Sequence, residues 1–273
     1  MPPIPHLPRH CLARPVTQGL LRLRVQLPCN SVTACERRAA HAERGQIMMT
    51  LMKKFTGAEW LAAVCLMMLA TFSHAAEWRE EKREQGIAVF TREVANSAFR
   101  EFRGEARVDA EINQIMAVLD DTEAFTEWMY NCRQAVLLHK SSLLDRYQYL
   151  LNDFPWPAAD REMLIRNQIS QDPATRVTRI SLESVAGDEL PASGRGAVPK
   201  AKGVKRVTAL RGFFELTPQE DGTTNVVFQL HLDPAGGLPS GLVNSLIVDN
   251  PFETLKQLRV VVQQAQYQNF NPF

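Results

Sequence analysis

The stretch GFFELTPQEDGTTNVVFQLHLDPAGGLPSGLVNSL, Gly212 to Leu246, decides the fold. Pro218-x-x-Asp221-Gly222 is a turn between two apolar-rich runs. In the second run Val226, Phe228, Leu230 and Leu232 alternate with Val227, Gln229 and His231, the period of a strand with one buried face. Asp233-Pro234-Ala235-Gly236-Gly237 stops that strand. After it Leu242, Leu246, Phe252, Leu255, Leu258 and Val262 trace the stripe of one long helix, which Pro251 should kink or restart.

Upstream, strands are expected over Ile87–Val94 and Phe99–Val108, where Phe102, Gly104, Ala106 and Val108 alternate with charged residues. Asp109 is expected to cap a helix carrying Ile112, Ile115, Met116 and Leu119, and Thr122 to start a short one with Phe125, Trp128 and Met129. Strands follow near Arg133–His139 and Leu144–Leu151, separated by Lys140-Ser141-Ser142. Others are expected near Glu162–Ser170, Arg176–Ser184, Val204–Leu216 and Thr223–Leu232. A long loop, Gly187–Gly203, interrupts the series. This order makes an α+β fold.

The N-terminus reads differently. Residues 1–47 are rich in Arg, Pro and Cys without periodicity, which suggests an upstream extension of the coding sequence or a disordered segment. An organelle transit peptide is the other reading of an Arg-rich leader. Residues 48–75 hold Lys53-Lys54, an apolar run from Trp60 to Phe72, and Ser73-His74-Ala75, in the order of a signal peptide. The run is short for a membrane span of about 20 residues. Residues 76–273 are then the mature domain, directed to the periplasm or secreted. They carry 22 Lys+Arg against 27 Asp+Glu, which argues against nucleic acid as a partner. Cys132 is their only cysteine, so no internal disulfide forms. A monomer is expected.

Pro155-Trp156-Pro157-Ala158-Ala159-Asp160-Arg161-Glu162, followed by Asp233-Pro234, Gly236-Gly237, Pro239 and Leu242-Val243-Asn244, resembles the START lipid-transfer domain over roughly Glu77 to Gln268. The family's tryptophan in the second segment is Gly241 here. The resemblance implies a helix-grip fold, a curved antiparallel β-sheet wrapped around a long C-terminal α-helix with an internal apolar cavity. It implies binding, and transfer, of a lipid or other hydrophobic ligand, with transient membrane contact and without cofactor or metal.

Candidate lining residues are Phe102, Ala106, Ile165, Val226, Phe228, Leu230, Leu242 and Leu246. Asp160 and Arg161, with Gly237, Pro239 and Asn244, are read as a structural motif, in which Arg161 makes a salt bridge fixing loop to strand. By spacing, the charged pair of the family's sterol binders falls on Gln148 and Asn167, a neutral pair. An offset of one would bring Arg166 there instead. The C-terminal helix would roof the cavity and gate it, with the Gly187–Gly203 loop close enough to be locked to it. Catalytic chemistry is poorly supplied: His139 and His231 lie in strands, and Cys132 reads as a packing residue. The competing function is a helix-grip enzyme, aromatase/cyclase-like or a hydrolase, acting on a small apolar substrate.

Overall fold

The strands run β1-β2-β3-β10-β9-β7-β6-β5-β4 across one sheet in a computed structural model that describes residues 77–270. The leader and extension read at 1–75 lie outside the described residues. In chain order the elements are β1 (Arg79–Glu84), β2 (Ile87–Arg92), β3 (Glu101–Val108), α1 (Ile112–Asp120), α2 (Phe125–Trp128), β4 (Cys132–Ser142) and β5 (Asp145–Asn152). Then come β6 (Arg161–Gln171), β7 (Thr178–Ser184), α3 (Ala192–Arg195), β8 (Lys205–Val207), β9 (Ala209–Pro218), β10 (Thr224–Asp233), α4 (Ser240–Leu246) and α5 (Asp249–Val261). Neighbours along the sheet are antiparallel, and β8 adds a short parallel pairing to the start of β6. This is the expected α+β helix-grip arrangement.

The differences from expectation have local causes. Strand β1, Arg-Glu-Glu-Lys-Arg-Glu, has no apolar alternation to announce it. It pairs with β2 through Gln85-Gly86, both at positive φ, the geometry of a two-residue hairpin turn. Its charges suit an exposed edge. The β4–β5 turn falls at Leu143-Leu144, not at Lys140-Ser141-Ser142. Glu111, not Asp109, precedes α1, and its N–H donates to the Gln114 side chain at 2.8 Å. The strand expected over Val204–Leu216 divides at Thr208, where the chain leaves β6 for β7. Ser184 Oγ bridges the break, donating to the Thr208 carbonyl and accepting from Leu210 N–H, both at 3.0 Å.

The single long C-terminal helix is two helices. Ile247-Val248 separates them, and Pro251 sits in the first turn of α5, where its missing N–H costs nothing. Helix α5 lies on β2 and β3. Gly104 makes that approach possible: a Cβ there would stand 2.8 Å from both Leu255 Cδ1 and Pro251 Cβ. Arg259 fixes the far end, donating to the carbonyls of Arg107 (3.0 Å), Gln85 (2.6 Å) and Gly86 (2.9 Å).

The two faces of the sheet are covered differently. Met163, Ile165, Phe214, Phe228, Leu255 and Trp128 belong to the main core under the helices. On the opposite face Tyr147, Tyr149 and Leu164 are covered by Leu190 from the Gly187–Gly203 loop. Gly194 in the same loop packs on Leu138 and His139. The middle of the loop, Leu190 to Gly194, therefore covers the outer face, the side opposite the C-terminal helices to which the loop was expected to be close enough to be locked.

Candidate functional site

The inner face of the sheet and the helices above it enclose a cavity of two lobes. Period-two alternation puts Arg146, Gln148, Leu150 and Asn152 of β5 on that face, facing Ile165 and Asn167 of β6. Leu210 and Phe214 of β9 and Phe228 and Leu230 of β10 continue the wall. Phe228 stacks on Phe214 with ring centroids 4.2 Å apart and meets Phe102 edge-on at 5.1 Å. Leu119 and Phe125 close the inner lobe, which holds about 700 Å³ of empty space, partly open to solvent. The outer lobe holds about 900 Å³, again partly open. It lies between Phe102, Phe154, Pro155 and Arg161 and the inward side of α4, Val243 and Leu246. Asn152, Met163, Leu230, Leu232 and Asn250 line both lobes.

The structure sorts the expected residues. Gln148, Ile165, Asn167, Phe228 and Leu230 line the inner lobe; Phe102, Leu230 and Leu246 line the outer. Ala106 and Val226 are buried and paired with each other, but line neither lobe. They lie beyond Gly104, where α5 rests on the sheet. Leu242 is 41 % exposed, whereas Val243 is 3 % exposed and faces the outer lobe. The break before α5 makes α4 a separate seven-residue helix with its own phase, so a stripe drawn through one long helix picks the wrong neighbour. Phe252 and Leu255 are core residues beneath α5, leaving α4 as the roof.

At the polar end of the inner lobe, Asn167 Nδ2 donates to Gln148 Oε1, and Gln148 Nε2 donates to Thr122 Oγ1 at 2.5 Å. Arg166 points away, paired with Asp145 at 2.8 Å. The neutral pair is not alone at this end, because Arg146 lines the same lobe and is 2 % exposed. Its Nη1 meets Asp120 Oδ1 at 2.5 Å and its Nη2 donates to the Leu119 carbonyl at 2.6 Å. Burial pulls its pKa down, and Asp120 works in the opposite direction. The signal was in the sequence: Arg146 precedes Gln148 by two residues and so shares its face.

Arg161 is 3 % exposed and, among the described residues, holds the strand-to-helix turn without a salt bridge. Its Nε donates to the Pro234 carbonyl at 2.8 Å, Nη2 to the Ala235 carbonyl at 3.0 Å, and Nη1 to the Ala159 carbonyl. Asp160 pairs instead with Arg133, and Glu162 with Arg206. Ala235, Gly236 and Gly237 all take positive φ, so the turn needs its glycines. Pro239 precedes the first turn of α4. Asn244 ties that helix to the connection between β2 and β3, accepting from Arg100 N–H at 3.0 Å and donating to the Ala98 carbonyl at 3.4 Å.

A START domain model matches residues 58–267. The chain belongs to the START domain family. An uncharacterized protein of Pseudomonas aeruginosa is 32 % identical over 185 residues, 68 % of this chain and 86 % of that one. A crystal structure of a STAR-related lipid transfer protein fragment from Xanthomonas axonopodis is 33 % identical, with TM-score 0.60, covering 68 % of this chain and 99 % of that fragment. Human StAR-related lipid transfer protein 5 shares the fold at 19 % identity and TM-score 0.58, covering 77 % of this chain and 97 % of that one.

Within this START domain the two histidines and the cysteine of the described residues lie off the cavity wall. His139 meets Ser193 at 2.9 Å and His231 meets Ser97 at 3.0 Å, and neither histidine lines a lobe. Burial, and next the charge of Arg211, lower the His231 pKa. Among the described residues no group of three or more His, Cys, Asp or Glu is placed to hold a metal. Burial raises the Cys132 pKa from 9.0 to about 11. The thiol therefore stays protonated at neutral pH, and iodoacetamide at pH 8 should alkylate it at least about 100-fold more slowly than a free cysteine. Between pH 9.0 and about 11 the unfolded chain ionises this thiol and the folded one does not, so its contribution to stability is lost across that window. Alkylation at the free-thiol rate would contradict the burial.

Proposed function

We propose that the protein holds a lipid or similarly hydrophobic molecule in the two-lobed cavity and carries it through water, without catalysing a reaction on it. The observation that carries this reading is the apolar wall of the inner lobe, continuous from Ile165 through Phe214 to Leu230. Each CH₂ moved from water into such a wall is stabilised by about 0.8 kcal/mol, so a cavity can replace the bilayer during transit. The lipid-transfer names of the related structures agree with it. Basic start, apolar run and small residues in 48–75 support a periplasmic or secreted setting. Trp156, 92 % exposed beside Phe154 and Pro155 of the outer lobe, supports transient membrane contact at the mouth by a monomer.

Helix α4 is the moving part of the roof, because α5 is fixed by Arg259 while α4 is held to the β2–β3 connection through Asn244. Asn244→Ala removes one good and one longer hydrogen bond, worth about 1–1.5 kcal/mol together. Exchange of a fluorescent lipid between protein and vesicles should then speed up about tenfold, with the melting temperature lowered by only about 2–6 °C. An unchanged exchange rate would remove α4 from the path. Native mass spectrometry with lipid extraction tests the carrier reading itself. It fails if protein from the producing cell contains no lipid and takes up no fluorescent lipid.

A further inference from the structure

Resting on that carrier reading, we infer that the inner lobe takes a single-chain amphiphile head first, its terminal carboxylate meeting Arg146. Three observations lead there. The first is an unfilled bond. Arg146 is 2 % exposed, Nη1 and Nη2 are engaged by Asp120 and the Leu119 carbonyl, and among the described residues its Nε has no acceptor. A buried donor on a charged group left without a partner is costly, and no described residue supplies one.

The second is a surplus of charge. Asp120 is shared between Arg146 at 2.5 Å and Lys140 at 2.8 Å, two cations on one carboxylate. One added monoanion balances the group. The third is position. Asn152 lies where the lobes meet, and Arg146 is on the same face of β5 six residues earlier, about 20 Å deeper at strand spacing. Arg146 does not line the outer lobe. A carboxylate is the end of its molecule and can reach Arg146 with nothing polar buried beyond it. A phosphodiester would have to carry its alcohol past that point, among Leu119 and Phe125. The apolar wall between Asn152 and Arg146 then receives the chain.

Oleate and oleyl alcohol are the probes, alike in chain and different in head. The wild-type protein should bind oleate at least about tenfold more tightly than the alcohol. Arg146→Met should weaken oleate about tenfold or more and leave the alcohol within about threefold. A measurement on the unaltered protein guards against misfolding of the variant: the Arg146 Nε–H proton resonance should move on adding oleate and stay on adding the alcohol. Equal affinities, a still Nε–H resonance with oleate bound, or equal losses for both probes in Arg146→Met would overturn the inference. If oleyl alcohol binds and oleate does not, the carboxylate falls and the carrier reading stands. If neither binds and fluorescent lipid is also refused, both fall.

Discussion

Arg161→Met should lower stability by about 3 kcal/mol, although no carboxylate among the described residues partners Arg161. Its guanidinium joins three carbonyls, of Ala159, Pro234 and Ala235, that the turn leaves without backbone partners. Hydrogen bonds from a charged donor contribute about 1.5–3 kcal/mol each, and water recovers part of that at the half-buried Ala235. Lysine should not rescue, since a point charge on a flexible stem cannot reach three carbonyls from one plane. Arg133→Met is the control. Arg133 pairs with Asp160 at an exposed site, where an ion pair contributes about 0–1 kcal/mol. Urea denaturation of both variants decides the matter: equal losses would mean that Arg161 is an ordinary surface cation.

Gly212→Ala should be at least as damaging, at about 3 kcal/mol or more, and should lower the melting temperature by about 6–12 °C. A Cβ at Gly212 would sit 2.3 Å from the Gln229 carbonyl oxygen and 2.9 Å from Leu230 Cα. Both are backbone atoms of the neighbouring strand, held in register by β3 on its other side, and cannot turn aside. Strands β9 and β10 must part locally, which moves Phe214, Phe228 and Leu230 on the cavity wall. Ligand affinity should therefore fall together with stability. Gly187→Ala, where nothing lies within 4 Å of the added atom, is the matched control. Calorimetry showing the same melting temperature for both would mean that the strands absorb the methyl.

Strands with one wet face were the most legible part of the fold. In β3 and β10 the alternation of apolar and polar residues is set directly by which face meets the core. Strand β1 was invisible because an edge strand with solvent on its exposed side has no burial to leave a pattern. The C-terminal helices were half legible: apolar spacing survives a break, but phase does not, which is how Leu242 took the place of Val243. Spacing brought Gln148 and Asn167 to one lobe and overlooked Arg146 on the same strand face. Arginine in an alternating strand is normally on the wet side, and its acid, Asp120, comes from a helix 26 residues away. Two of the three carbonyls that Arg161 holds lie 73 and 74 residues downstream, a distance at which local pattern says nothing.

Strand β10 stands between β3 and β9 and so joins the first strands of the chain to all the rest. This ordering sets a timetable for synthesis. Until residues 224–235 have emerged, β3 has no neighbour on one side, Arg161 lacks the carbonyls of Pro234 and Ala235, and the cavity lacks Phe228 and Leu230. The nascent chain thus presents two half-sheets with an apolar face open to water. Pairing across more than 100 residues is slow compared with forming the local hairpins. The cavity can take a ligand only after β10 has been made, and the chain before that point is the form that a chaperone would have to shield.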